Sequence, residues 1–179
     1  MKPKKEKISL DQLRDLYSAK RHAIRKRLED FQKIPKEEYF YELVYCLLTP
    51  QSSAVNAGKA VGLLKERNFF ETEIDPESLL HQKDFYVRFH KTKARHLTAM
   101  KLQFSLIARH LSNGSSSREL REWLIQNVKG LGRKEASHFL RNIGHKNLAI
   151  LDRHILKNLV RVGALGHLPK TLTPKRYSA

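Results

Sequence analysis

The segment from Val128 to Asp152 constrains this chain more than any other. Gly130 and Gly132 flank Leu131, and a helical repeat begins at once: Ala136, Phe139, Leu140 and Ile143 recur at three- and four-residue steps. Glycines ahead of a helix permit positive φ and close backbone approach. Such a turn can aim several free amides of a helix start at one phosphate. Lys134 lies in the first turn of that helix, and Asp152 follows 18 residues later (152 − 134), where the next helical pattern begins.

The rest of the chain reads as helices. Ser9-Leu10-Asp11-Gln12 is a capping box that opens onto the stripe Leu10, Leu13, Tyr17, Ile24, Leu28 and Phe31, ended by Pro35. Tyr39, Phe40, Leu43, Val44, Leu47 and Leu48 mark an apolar helix that belongs at the centre of the core, stopped at Thr49-Pro50. From residue 51 to about 66 a helix resumes, with Ala54, Ala57, Ala60, Val61 and Leu64 facing inward. Residues 68–91 are the least regular. Asp75 to Leu79 suits a short helix start, and Phe85 to Phe89 reads as an aromatic loop or turn because no partner strand accompanies it.

The spacing of Ala94, Leu97, Phe104, Ala108 and Leu111 predicts one helix over about 92–111. Asn113 to Ser117 is a polar turn, Ser116 to Glu119 a second capping box, and Trp123 and Leu124 are candidate core residues. Gly144 ends the lysine helix. Ile155, Leu156, Leu159 and Val160 follow on a last helix, closed by Gly163 and Gly166. With no sustained strand alternation and no internal repeat, the predicted fold class is all-α.

Composition narrows the function. Lys plus Arg exceed Asp plus Glu by 35 − 18 = 17 charges in 179 residues. An excess that large points to a polyanionic partner, first of all nucleic acid. No apolar run approaches the roughly 20 residues needed to span a bilayer. Met1 to Lys7 is basic but lacks the apolar segment of a secretory signal, so a cytoplasmic, nucleoid-associated protein without membrane contact is expected. The single cysteine, Cys46, excludes an internal disulfide and a four-cysteine iron–sulfur cluster, and reads as inert packing. The histidines show no zinc-ligand spacing, so no metal site is predicted.

The string Lys129-Gly130-Leu131-Gly132-Arg133-Lys134-Glu135-Ala136-Ser137-His138-Phe139, with Leu148-Ala149-Ile150-Leu151-Asp152, resembles the helix–hairpin–helix DNA glycosylase superfamily. Within it, the prokaryotic second branch of the 8-oxoguanine DNA glycosylase/AP lyases is the most similar, and the likeness extends to Leu47 to Ala54. The resemblance implies two helical lobes flanking a DNA-binding cleft. Residues 37–144 would form one, ending in the helix–hairpin–helix at about 118–144; residues 1–36 and 145–179 would form the other. It also implies a bifunctional repair enzyme for duplex DNA, acting as a monomer, that removes 8-oxoguanine and nicks the abasic strand with no metal or redox cofactor.

On that reading Lys134 is the nucleophile. An attacking lysine must shed its proton; partial burial, the helix dipole and a cationic neighbour such as Arg133 act in that direction. Asp152 would steady positive charge at the sugar or help deprotonate Lys134, although aspartate is also a favoured N-cap. Lys129, Gly130, Leu131, Gly132 and Arg133 would grip DNA phosphate, with a monovalent cation held by the hairpin carbonyls as a family expectation. Gln51 would enter the duplex where the base has left.

Phe89, among Phe85, Tyr86, His90, Lys91 and Lys93, would stack the extruded base, although an aromatic residue is as often core. The resemblance further implies a helix beyond the position of Ala179 that helps to recognise the oxidised purine. Two alternatives stay open: the same chemistry on an oxidised pyrimidine or a bare abasic site, and a non-catalytic helix–hairpin–helix DNA-binding module.

Overall fold

The computed structural model describes residues 7–173 and Tyr177; the basic segment 1–6 and residues 174–176, 178 and 179 lie outside the described residues. Within them the chain is all-α. Its helices are α1 (Leu10–Gln32), α2 (Tyr39–Leu48), α3 (Ala54–Glu66), α4 (His90–Leu102), α5 (Phe104–Leu111), α6 (Ser117–Asn127), α7 (Arg133–Asn142) and α8 (Arg153–Arg161), with short 3-10 turns at Lys36–Glu38 and Ser78–Leu80.

Helix α2 is the hub. Phe40, Leu43, Val44, Cys46, Leu47 and Leu48 are all buried, and the helix touches α3, α4 and α7. Each of the Phe, Leu and Val side chains among them contributes about 1.5–3 kcal/mol when fully buried. Ala57 and Ala60 on α3 are fully buried, as their small size requires for close helix approach. Phe40 gathers an aromatic cluster with Phe70 (ring centroids 4.5 Å apart), Phe104 (5.1 Å) and Phe69 (5.9 Å).

Helix α7 lies against α2 and α6 and touches α1. Its apolar face, Ala136, Phe139 and Leu140, is sealed in the core with Ile143 just beyond it. Asn142 ties the helix to α2 by donating from Nδ2 to Glu42 Oε2 at 2.9 Å. The position of Lys134 is therefore set by a helix that the core cannot release.

Both capping boxes form, at Ser9 and Ser116. The predicted 92–111 helix is instead two, broken at Gln103. Its carbonyl accepts from the amides of Leu106 and Ile107, and its Nε2 donates to the Asn127 carbonyl at 3.0 Å. The break turns Phe104 back onto Phe40 and Phe70. Helix α3 begins at Ala54 rather than residue 51. Ser53 caps it, accepting from the Asn56 amide at 3.2 Å, and Ala54 itself is exposed. Phe85 to Phe89 is a loop with one antiparallel bridge, His81 to Tyr86.

The largest difference from expectation lies in α1. Its register and ends are as predicted, but of the apolar stripe only Phe31 is buried, held between the guanidinium groups of Arg27 and Arg141 at 4.5 Å each.

Candidate active site at the glycine hairpin

The hairpin between α6 and α7 divides its work among five residues. Val128 and Leu131 are buried, while Lys129, Gly130 and Gly132 are exposed. Leu131 is thus the anchor, and its amide closes the turn on the Val128 carbonyl at 3.2 Å. Gly130 adopts φ +87°, and a Cβ there would lie 2.2 Å from Nδ1 of His96, so both backbone angle and space demand glycine. Gly132 is extended (φ −90°, ψ 177°) and supplies no side-chain cap to α7. The first intrahelical bond runs from Ala136 to Gly132, which leaves the amides of Arg133, Lys134 and Glu135 for an outside acceptor.

Lys134 leaves the first turn of α7 into two adjoining hollows. One, of about 490 Å³, is lined by Lys134, Asp152, Ile125, Leu156, Leu172 and Tyr177 among others. The second, of about 350 Å³, is lined by Lys134, Asp152, Tyr45, Ser52, His138 and Arg141 among others. The lysine and the aspartate border both. The Lys134 side chain is 36 % exposed, and its Nζ lies 3.4 Å from Glu135 Oε1. Arg133 does not press on Lys134 as expected. Its guanidinium is paired with Glu122, which Arg121 also binds. Arg133 therefore offers a ligand its backbone amide rather than its charge.

Asp152 is the N-cap of α8. Both capping bonds, from the amides of His154 and Ile155 at 2.8 Å, end on Oδ1. The second carboxylate oxygen takes no part in the cap, so capping and a role at the hollow coexist. Tyr177 closes the far side of the larger hollow, donating to the Ala149 carbonyl at 2.7 Å and accepting from the Leu151 amide at 3.1 Å.

Gln51 and Phe89 sit elsewhere, on the rim of a third hollow of about 220 Å³ that reaches Gly130. Gln51 is exposed and Phe89 is 52 % exposed. Both hold left-handed backbone, φ 55° and 60°, which costs a side-chain-bearing residue roughly 1–2 kcal/mol. Phe89 does not line either lysine hollow. The link between the two regions is Ser52, beside Gln51, which does line the smaller lysine hollow.

Sequence reasoning missed Glu135 and His138. A usable signal existed for His138, which is four residues after Lys134 and so on the same helix face. Burial above all, aided by Arg141 and Lys134 and opposed by Asp152, pushes His138 down to about 4. Burial also lowers His145, and together with Lys129 and Arg95 it lowers His96. The unfolded chain, whose histidines titrate near 6.5, then binds more protons than the folded one between about pH 6.5 and 4. Stability from these groups is complete above 6.5 and lost on acidification through that window. Urea melts at pH 7, 6, 5 and 4 should show a falling midpoint, and His138→Phe should flatten the fall; an unchanged slope in that variant would remove His138 as the cause.

A buried helical scaffold presenting a glycine hairpin, a first-turn lysine and a capping aspartate at shared hollows defines a helix–hairpin–helix protein of the DNA glycosylase class. The sequence model of the 8-oxoguanine DNA glycosylase family matches residues 24–179. An 8-oxoguanine DNA glycosylase/AP lyase of Fusobacterium nucleatum is 37 % identical over 177 residues, covering 93 % of this chain and 81 % of the relative. One of Korarchaeum cryptofilum is 39 % identical, covering 88 % and 75 %. Among solved structures, the Methanocaldococcus jannaschii 8-oxoguanine glycosylase/lyase in complex with a 15mer DNA containing 8-oxoguanine superimposes with TM-score 0.78 at 32 % identity, covering 92 % of this chain and 80 % of that one. The 8-oxoguanine DNA glycosylase of Thermotoga maritima gives 0.77 at 30 %, covering 94 % and 81 %. The chain belongs to the 8-oxoguanine DNA glycosylase family.

Proposed function

We propose that this chain excises 8-oxoguanine from duplex DNA and then cuts the abasic strand, with Lys134 as the nucleophile. The observation that carries this reading is the convergence of Lys134 and Asp152 on the same two hollows beside an uncapped, phosphate-ready hairpin. A damaged nucleotide inside a duplex is out of reach and must rotate out of the stack. The Lys134 Nζ, released from Glu135, bonds to C1′ of the deoxyribose as the glycosidic bond breaks and the base leaves with a proton. Opening of the sugar gives a Schiff base between Nζ and C1′. Loss of a C2′ proton then expels the 3′ phosphate.

The carboxylate of Asp152, fixed by its cap, opposes the positive charge that builds on the sugar. The hairpin amides hold backbone phosphate, which positions the protein without reading sequence, and the hairpin carbonyls would hold a monovalent cation that adds positive charge beside that phosphate. Gln51 fills the gap left in the duplex, and Phe89 offers an exposed ring for stacking. The protein works as a monomer on chromosomal DNA in the cytoplasm. Its two lobes, 37–144 against 1–36 with 145–179, meet at the Lys134–Asp152 cleft. Among the described residues no helix is long and apolar enough to cross a membrane.

Borohydride trapping tests the proposal. With an 8-oxoguanine duplex the reduced Schiff base should leave the protein covalently joined to DNA through Lys134. Preferential trapping on an oxidised-pyrimidine duplex would transfer the reading to another lesion. DNA binding with no adduct on any damaged duplex would leave a binding module.

A further inference from the structure

Among the described residues, Lys93 is the one lysine that is buried, at 6 % exposure. It rises from the first turn of α4, and its ammonium has three donors for three acceptors: the Leu48 carbonyl at 2.6 Å, the Pro50 carbonyl at 2.7 Å and Ser52 Oγ at 3.1 Å. The Leu48 carbonyl is an unpaired group at the negative end of α2, so a cation there is favoured. Ser52 Oγ also accepts from the Arg88 amide at 2.9 Å. One cation and one hydroxyl therefore stitch the 48–52 turn to the 86–89 turn, and Asn56 adds a bond to the Tyr86 carbonyl at 3.0 Å.

These two turns carry Gln51 and Phe89. Four non-glycine residues among those described have positive φ; two are asparagines, which tolerate it, and the other two are Gln51 and Phe89. Strained backbone persists only where its surroundings hold it. Here the holding groups are identifiable, and both strained residues line the hollow whose floor includes Lys93.

We propose that Lys93 is a positioning residue for base extrusion: its three bonds lock the turns of Gln51 and Phe89 in the conformation that enters the duplex and receives the displaced base. It takes no part in bond making, which belongs to Lys134. The inference rests on the glycosylase reading above and on Gln51 acting as the inserted side chain.

The test compares two substrates for the full-length protein. One duplex carries 8-oxoguanine, which must be unstacked; the other carries a preformed abasic site, with no base to unstack. Lys93→Met should slow excision about tenfold or more, as loss of a charged hydrogen-bonding group implies, with abasic-strand nicking within about twofold of wild type. The fluorescence rise of 2-aminopurine placed next to the lesion should diminish in parallel. Ser52→Ala should show the same partition more weakly, and decides the matter if Lys93→Met does not fold. Gln51→Ala should slow excision of 8-oxoguanine as well. Equal losses on both substrates, or none, would overturn the positioning role. A wild-type protein that nicks abasic DNA but never releases 8-oxoguanine would instead defeat the lesion assignment. Gln51→Ala with wild-type rates beside a slow Lys93→Met would defeat the insertion step.

Discussion

Lys134→Gln is expected to abolish both base release and strand cleavage, by roughly 10⁴-fold or more, because the bond-forming amine at the start of α7 is gone. Folding should barely change. Glutamine suits a helix about as well as lysine, and the lost Lys134–Glu135 pair is a partly exposed one, worth at most about 1 kcal/mol. Binding should also survive, since main-chain amides of the hairpin and α7 remain. Single-turnover excision, nicking of abasic DNA and a binding titration on the same preparation check all three. If binding fell along with activity, the lysine would be a phosphate contact rather than the nucleophile.

Asp152→Asn should come next in size. The asparagine carbonyl can take over both capping bonds from His154 and Ile155, and asparagine caps as well as aspartate. What disappears is the negative charge beside the developing cation, an electrostatic loss of roughly 10²–10³-fold in rate. Asp152→Ala loses the charge and the cap, adding about 1 kcal/mol of instability. The pair separates the two roles: Asn slow but stable, Ala slow and less stable. An active Asn variant would reduce Asp152 to a cap.

The residues that were legible in the sequence are those whose roles are local. A capping box is complete within four residues, so Ser9 and Ser116 announce α1 and α6. The glycine pair, Lys134 and Asp152 stand at fixed spacing around one hairpin, so the meeting of the lysine and the aspartate at the same two hollows follows from local order along the chain. The break at Gln103 left no trace, because it has neither proline nor glycine and is fixed by the Asn127 carbonyl 24 residues away. Lys93 was one of 35 basic residues, and nothing in its neighbours along the chain says that three oxygens from 48–52 surround it. The left-handed turns at Gln51 and Phe89 were equally hidden, since neither side chain favours that backbone. Periodicity found the α1 stripe but could not show which way it faces.

That outward-facing helix has a consequence for geometry rather than for the core. At its start, the Ile8 amide donates to the Arg161 carbonyl at the end of α8. At its other end Phe31 and Gln32 press on Gly144, just past the end of α7, where a Cβ would lie 3.0 Å from Gln32 Cα. Helix α1 is thus a strut about 35 Å long, braced between the far ends of the two helices that carry the amine and the carboxylate. A rod that meets neither group thus ties together the far ends of the two helices that carry them.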